Sequence, residues 1–109
     1  MDEKILSCLE NFNGQTKQRF GELYGLICTA APDKIEEKLW AGLPSFYAGK
    51  NFVRLIPFKN HVNIEAKAVA LHKGELSGYK LTPKGMLQIF HDRPIPVEIL
   101  KTVFRESLI

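Results

Sequence analysis

The segment with the most chemistry per residue is Phe58-Lys59-Asn60-His61-Val62-Asn63-Ile64-Glu65. As a strand, its alternation puts Lys59, His61, Asn63 and Glu65 on one face and Val62 with Ile64 on the other. A histidine between a lysine and a carboxylate can exchange protons or hold an anion near neutral pH, because its reference pKa is about 6.5. The competing reading is an ordinary solvated sheet face. Aromatic residues supply a second set. Trp40, Phe46 and Tyr79 could wall a pocket whose polar floor is Lys38, Lys59 and His61, a setting suited to a small anionic or aromatic ligand. The plainer alternative is that these rings fill the core. Asp33, Glu36 and Glu37 form the one acidic cluster.

Catalytic signatures are missing. His61, His72 and His91 lack H-x-H or H-E-x-x-H spacing, which argues against zinc. There is no G-x-x-x-x-G-K loop and no G-x-S-x-G elbow. Cys28 falls on the apolar face of an expected helix, where a thiol serves as a small hydrophobe rather than a nucleophile. Two cysteines are too few for a disulfide scaffold, so reduced thiols in the cytoplasm are expected. The acidic opening Met1-Asp2-Glu3-Lys4 does not read as an export signal, and no apolar run reaches the ~20 residues of a membrane span.

The elements that must carry these residues are readable from periodicity. Phe20, Leu23, Tyr24, Ile27, Cys28 and Ala31 recur at helical spacing, predicting a helix over about 15–30 with a shorter one ahead of it over 4–10. Gly21 and Gly25 weaken that helix and suggest a close approach of the sheet backbone. Pro32 ends it. From Ile35 the pattern changes to short β-branched and aromatic runs over 38–40, 45–48, 52–56 and 61–64, separated by Gly42-Leu43-Pro44, Gly49-Lys50-Asn51 and Lys59-Asn60. Residues 66–73 read as a helix with Val69, Leu71 and His72 inward, and 86–90 as another strand. Pro96 opens a last helix whose buried face is Leu100, Val103, Phe104 and Leu108. This is an α+β chain, an antiparallel sheet of about five strands packed against N-terminal and C-terminal helices.

At 109 residues, with 45% hydrophobic and 25% charged residues and no repeat or linker, the whole of 1–109 reads as one domain able to bury its own core. The net charge of +3 is concentrated after residue 66, where seven bases face four acids, away from the acidic cluster. Lys67, Lys73, Lys80, Lys84, Arg93, Lys101 and Arg105 are interspersed with acids and carry no known nucleic-acid motif. Nucleic acid is therefore not the expected partner, while a partner protein stays open.

Several segments taken together resemble one family. Ala31-Pro32, Glu36-Glu37-Lys38-Leu39-Trp40-Ala41-Gly42-Leu43-Pro44-Ser45-Phe46, Lys59-Asn60-His61-Val62, Gly78-Tyr79-Lys80, Lys84-Gly85-Met86-Leu87-Gln88-Ile89 and Arg93-Pro94-Ile95-Pro96 stand in the order and separation of the YdhG-like domain. The resemblance runs over about 15–107. It implies a curved antiparallel sheet covered by helices and an intracellular bacterial protein whose function is undefined for the family. One branch is described as frataxin-like iron chaperones that deliver iron for iron–sulfur cluster or haem assembly. The leading expectation is a non-enzymatic binding or carrier protein for a small molecule or anion, with an iron chaperone using Asp33, Glu36 and Glu37 as the alternative.

Overall fold

The computed structural model describes residues 1–31 and 34–109. The chain opens with α1 (Glu3–Leu9), capped by the Asp2 carboxylate, which accepts from the Lys4 and Ile5 amides at 3.0 and 3.3 Å. It continues into α2 (Gly14–Ala30), capped by Asn13 Oδ1 on the Thr16 amide at 2.9 Å. Four strands follow: β1 (Glu36–Trp40), β2 (Leu43–Ala48), β3 (Asn51–Pro57) and β4 (His61–Ala66). After a 3₁₀ segment (Lys67–His72) come β5 (Lys80–Leu81), β6 (Leu87–Phe90) and α3 (Val97–Leu108).

All six strands form one antiparallel sheet in the order β1-β2-β3-β4-β6-β5. The α+β reading holds, with one strand more than the five expected. The extra strand, β5, is two residues long and has no period of its own to betray it. The β1–β2 turn is Ala41-Gly42, both at positive φ (51° and 79°), the signature of a tight hairpin turn whose twist matches its strands. Leu43 and Pro44, expected in that turn, belong to β2.

Period-2 alternation divides the sheet. Phe46, Val53, Leu55, Val62, Ile64, Leu87 and Ile89 are fully buried together with Phe20, Leu23 and Ile27 of α2 and Leu100, Val103 and Phe104 of α3. The buried residues of α2 are Thr16, Phe20, Leu23 and Ile27. Cys28, one position past Ile27, turns about 100° away and is exposed, contrary to expectation. Among the described residues beyond the helix's own backbone, no atom lies within 4 Å of where a Cβ would stand on Gly21 or Gly25, so the sheet strands do not approach there. The segment 67–72 is 3₁₀ rather than α-helical. It buries Ala68 and Val69, while His72 is half-buried and Leu71, expected inward, is 74% exposed. Pro96 sits at the N-cap, one residue before the helix proper. Among the described residues no helix is long and apolar enough to cross a membrane.

Candidate functional site

The face of the sheet turned away from the helices is polar at its centre and aromatic at its ends. Register sets its rows. Lys38, Ser45, Arg54 and Glu65 lie side by side across β1 to β4, and Asn63 pairs with Gln88, which pairs with Lys80. Arg54 is only 4% exposed. Its Nε donates to Ser45 Oγ at 2.8 Å, Nη1 to Glu65 Oε1 at 2.7 Å and Nη2 to the Tyr47 hydroxyl at 3.2 Å. The guanidinium carbon lies 4.3 Å from the Trp40 ring centroid and 4.2 Å from that of Phe52. A buried cation with every nitrogen engaged and rings close by is a structural fixture, not a free anion receptor. A lone charge inside the apolar run Phe52-Val53-Arg54-Leu55-Ile56 is the signal that marks it in sequence.

At the other end of the face, His61 is stacked between Phe58 (4.5 Å, 6° between planes) and Phe90 (4.6 Å, 24°). Its Nδ1 donates to Asn60 Oδ1 at 2.7 Å, which leaves Nε2 as an acceptor in the neutral ring. Burial, helped by the charge of nearby His91, pushes the His61 pKa below its ordinary value. His91 points to the helix side. The Thr16 hydroxyl donates to the carbonyl of Phe58 at 2.8 Å and so accepts from His91 Nε2 at 2.9 Å. Burial and the Arg19 charge lower the His91 pKa, and its buried Nδ1 has no partner among the described residues.

Beside this stack, between β5, β6 and the loop leading to α3, lies a cavity of about 180 Å³ lined by Tyr79, Lys80, Gln88, Phe90, Asp92 and Arg93. The Tyr79 hydroxyl donates to the Pro94 carbonyl at 2.7 Å, which fixes its ring, and Arg93 lies over that ring at 5.2 Å. Lys80 Nζ is 5.3 Å from the Phe90 centroid. Gln88 is held by Asn63 at 3.2 Å. Neither Lys80 nor Arg93 makes an ion pair with a carboxylate among the described residues. Two cations that make no ion pair, set against the single carboxylate of Asp92, leave the cavity net positive, and with a carboxamide and two aromatic walls it can hold a small anion carrying a planar body.

The six residues expected to form one pocket are distributed differently. Tyr79 lines the cavity, and His61 stacks behind Phe90. Lys59 sits in the β3–β4 turn, since β4 begins only at His61. Its carbonyl is bound by Asn13 and Thr16. Lys38 and Trp40 lie on β1, at the far edge of the sheet. Phe46 cannot join them: it pairs with Glu37, shares the helix-side face and packs on Phe20 and Tyr24 at 6.4 and 5.5 Å. The acidic residues also part. Glu36 pairs with Lys38 at 3.0 Å on the open side. Glu37 accepts from the Asp2 amide at 2.8 Å and the Tyr24 hydroxyl at 2.5 Å, a bond that raises the Tyr24 pKa well above its ordinary value. Asp33 lies outside the described residues. Among those described, no three His, Cys, Asp or Glu side chains are grouped to hold a metal ion. Lys80, Gln88 and Arg93 were the residues that spacing alone did not bring together.

Comparison of the chain with protein-family models, with curated proteins and with solved structures finds no match.

Proposed function

We propose that this chain is a binding or carrier domain of the YdhG-like type that takes up a small anion with a planar, apolar body at the β5–β6 end of its open sheet face. The observation that carries this reading is the cavity of about 180 Å³ in which Lys80 and Arg93, without an ion pair among the described residues, stand beside the rings of Phe90 and Tyr79. Charge-assisted hydrogen bonds to both cations would fix the anionic group, and the walls would receive the planar part. Neutral His61, clamped between two rings, backs that wall. The unpaired thiols Cys8 and Cys28 suit a reducing compartment such as the cytoplasm.

Benzoate and inorganic phosphate are suitable probes. Titration of labelled protein should shift the amide resonances of Tyr79, Lys80, Gln88 and Arg93, and the double variant Lys80→Ala/Arg93→Ala should weaken the response at least tenfold. Shifts confined to another surface, or none at all, refute the assignment. For the iron-chaperone alternative no geometric feature among the described residues speaks: Glu36 and Glu37 face opposite sides of β1 and each already has a partner.

A further inference from the structure

The open face carries a second feature that a small-ligand cavity does not use. Trp40, the chain's one tryptophan, is 53% exposed and yet fixed, because Arg54 lies 4.3 Å beneath its ring and is itself bound to Ser45, Glu65 and Tyr47. A large ring held toward solvent by a buried cation has little conformational freedom left to lose on binding. In the β3–β4 turn, midway across the sheet, Phe58, 40% exposed, caps the His61–Phe90 stack on the side facing Trp40's half of the face. From β1 to β6 the face crosses four strand spacings, about 19 Å. Charge along it is uneven. Lys38 and Arg54 are neutralised by Glu36 and Glu65, whereas among the described residues Lys80 and Arg93 at the β5–β6 edge, Lys59 in the β3–β4 turn and Lys84 in the β5–β6 connection make no ion pair, against the one carboxylate, Asp92, that lines the cavity with Lys80 and Arg93.

We infer that this face binds single-stranded nucleic acid. A strand crosses the face from β1 to β6, one base stacking on Trp40 and another on Phe58, with the phosphates of its far end on Lys80 and Arg93. The phosphate contact rests on the anion site proposed above; the Trp40 platform stands apart from it. Every base has a π-face, so the binding tolerates sequence, and a duplex, whose base faces are hidden, cannot use the rings.

The sole tryptophan reports directly. A dT12 strand added to the full chain should quench Trp40 fluorescence to saturation. With up to four cations engaged, log Kd should rise with log salt at a slope of about 2 to 3. In fluorescence anisotropy with end-labelled dT12, Trp40→Leu should weaken binding roughly fivefold or more. Lys80→Ala/Arg93→Ala should also weaken it and flatten the salt slope. Trp40 is exposed, so its replacement leaves the core intact, and a Trp40→Phe variant should restore part of the affinity. Equal affinity for a dT12·dA12 duplex, or unchanged Trp40 fluorescence at saturating strand, overturns the inference. If phosphate still shifts Lys80 and Arg93 in that case, the small-anion reading survives alone; if it does not, both fall.

Discussion

Arg54 decides much of what the open face can be. Removing a charge partner from a buried cation leaves a desolvated group with nothing to offset it, and hydrogen bonds to charged groups contribute about 1.5–3 kcal/mol. Glu65 bonds Arg54 at 2.7 Å and is itself 37% exposed. Glu65→Ala should therefore lower unfolding free energy by about 2 kcal/mol, read from urea unfolding with an unchanged m-value. It should also loosen Trp40, seen as a red shift and faster depolarisation of its fluorescence. A change below a few tenths of a kcal/mol, or a Trp40 signal identical to wild type, would mean that Arg54 keeps its place without the carboxylate. This cluster was partly visible in the chain: a charge amid apolar neighbours marks Arg54, but the three partners come from β2 and β4, and only the register aligns Ser45 and Glu65 with it.

At the scale of elements, periodicity located both long helices, the four-strand meander and β6, because each has enough residues to express a repeat. What it missed follows from parity and turns. Starting β2 at Leu43 and β4 at His61 fixes which side chains share a face, so Phe46 goes inward and Lys59 drops out of the polar stripe. The cavity was hidden for a similar reason, since β5 is two residues long and Arg93 reaches Tyr79 from a loop. The β1–β2 hairpin offers a test of turn chemistry. Ala41 holds a φ of 51°, a left-handed conformation that costs an L-residue with a Cβ about 1–2 kcal/mol. Glycine removes that cost but enlarges the unfolded ensemble by about 0.4–1 kcal/mol. Ala41→Gly should accordingly stabilise the fold by about 0.5 kcal/mol, measured as a higher urea midpoint. A lower midpoint would show that the hairpin does not hold Ala41 in the left-handed region in solution.

Over the whole molecule, the three histidines give stability a pH dependence of two signs. His72 joins the segment after the 3₁₀ turn to α3: Nδ1 lies 2.7 Å from Glu75 Oε1 and Nε2 2.7 Å from Glu106 Oε1. A neutral imidazole has one N–H and can satisfy only one of these carboxylates; the protonated ring satisfies both. The bond to Glu106, then that to Glu75, raises the His72 pKa in the folded state. Its stabilisation is thus complete below the unfolded value of about 6.5 and disappears as pH rises through the raised folded pKa. His61 and His91 act oppositely. Burial lowers both pKa values, so their contribution is present above about 6.5 and is lost as pH falls through the lowered values. Histidine titration alone therefore gives a stability maximum near neutrality, with His72 behind the alkaline limb and His61 together with His91 behind the acid limb. Urea unfolding at pH 5.5, 6.5 and 8 should show His72→Gln flattening the rise-side loss between 6.5 and 8 while leaving the acid limb unchanged. His61→Phe, which keeps a ring between Phe58 and Phe90, should shrink the acid limb to the part that His91 supplies and spare the other. If His72→Gln left the 6.5–8 slope intact, the two carboxylates would not be holding a proton on that ring, and the link between the central segment and α3 would rest on the Ser107 hydroxyl, which accepts from the Ala68 amide at 3.0 Å.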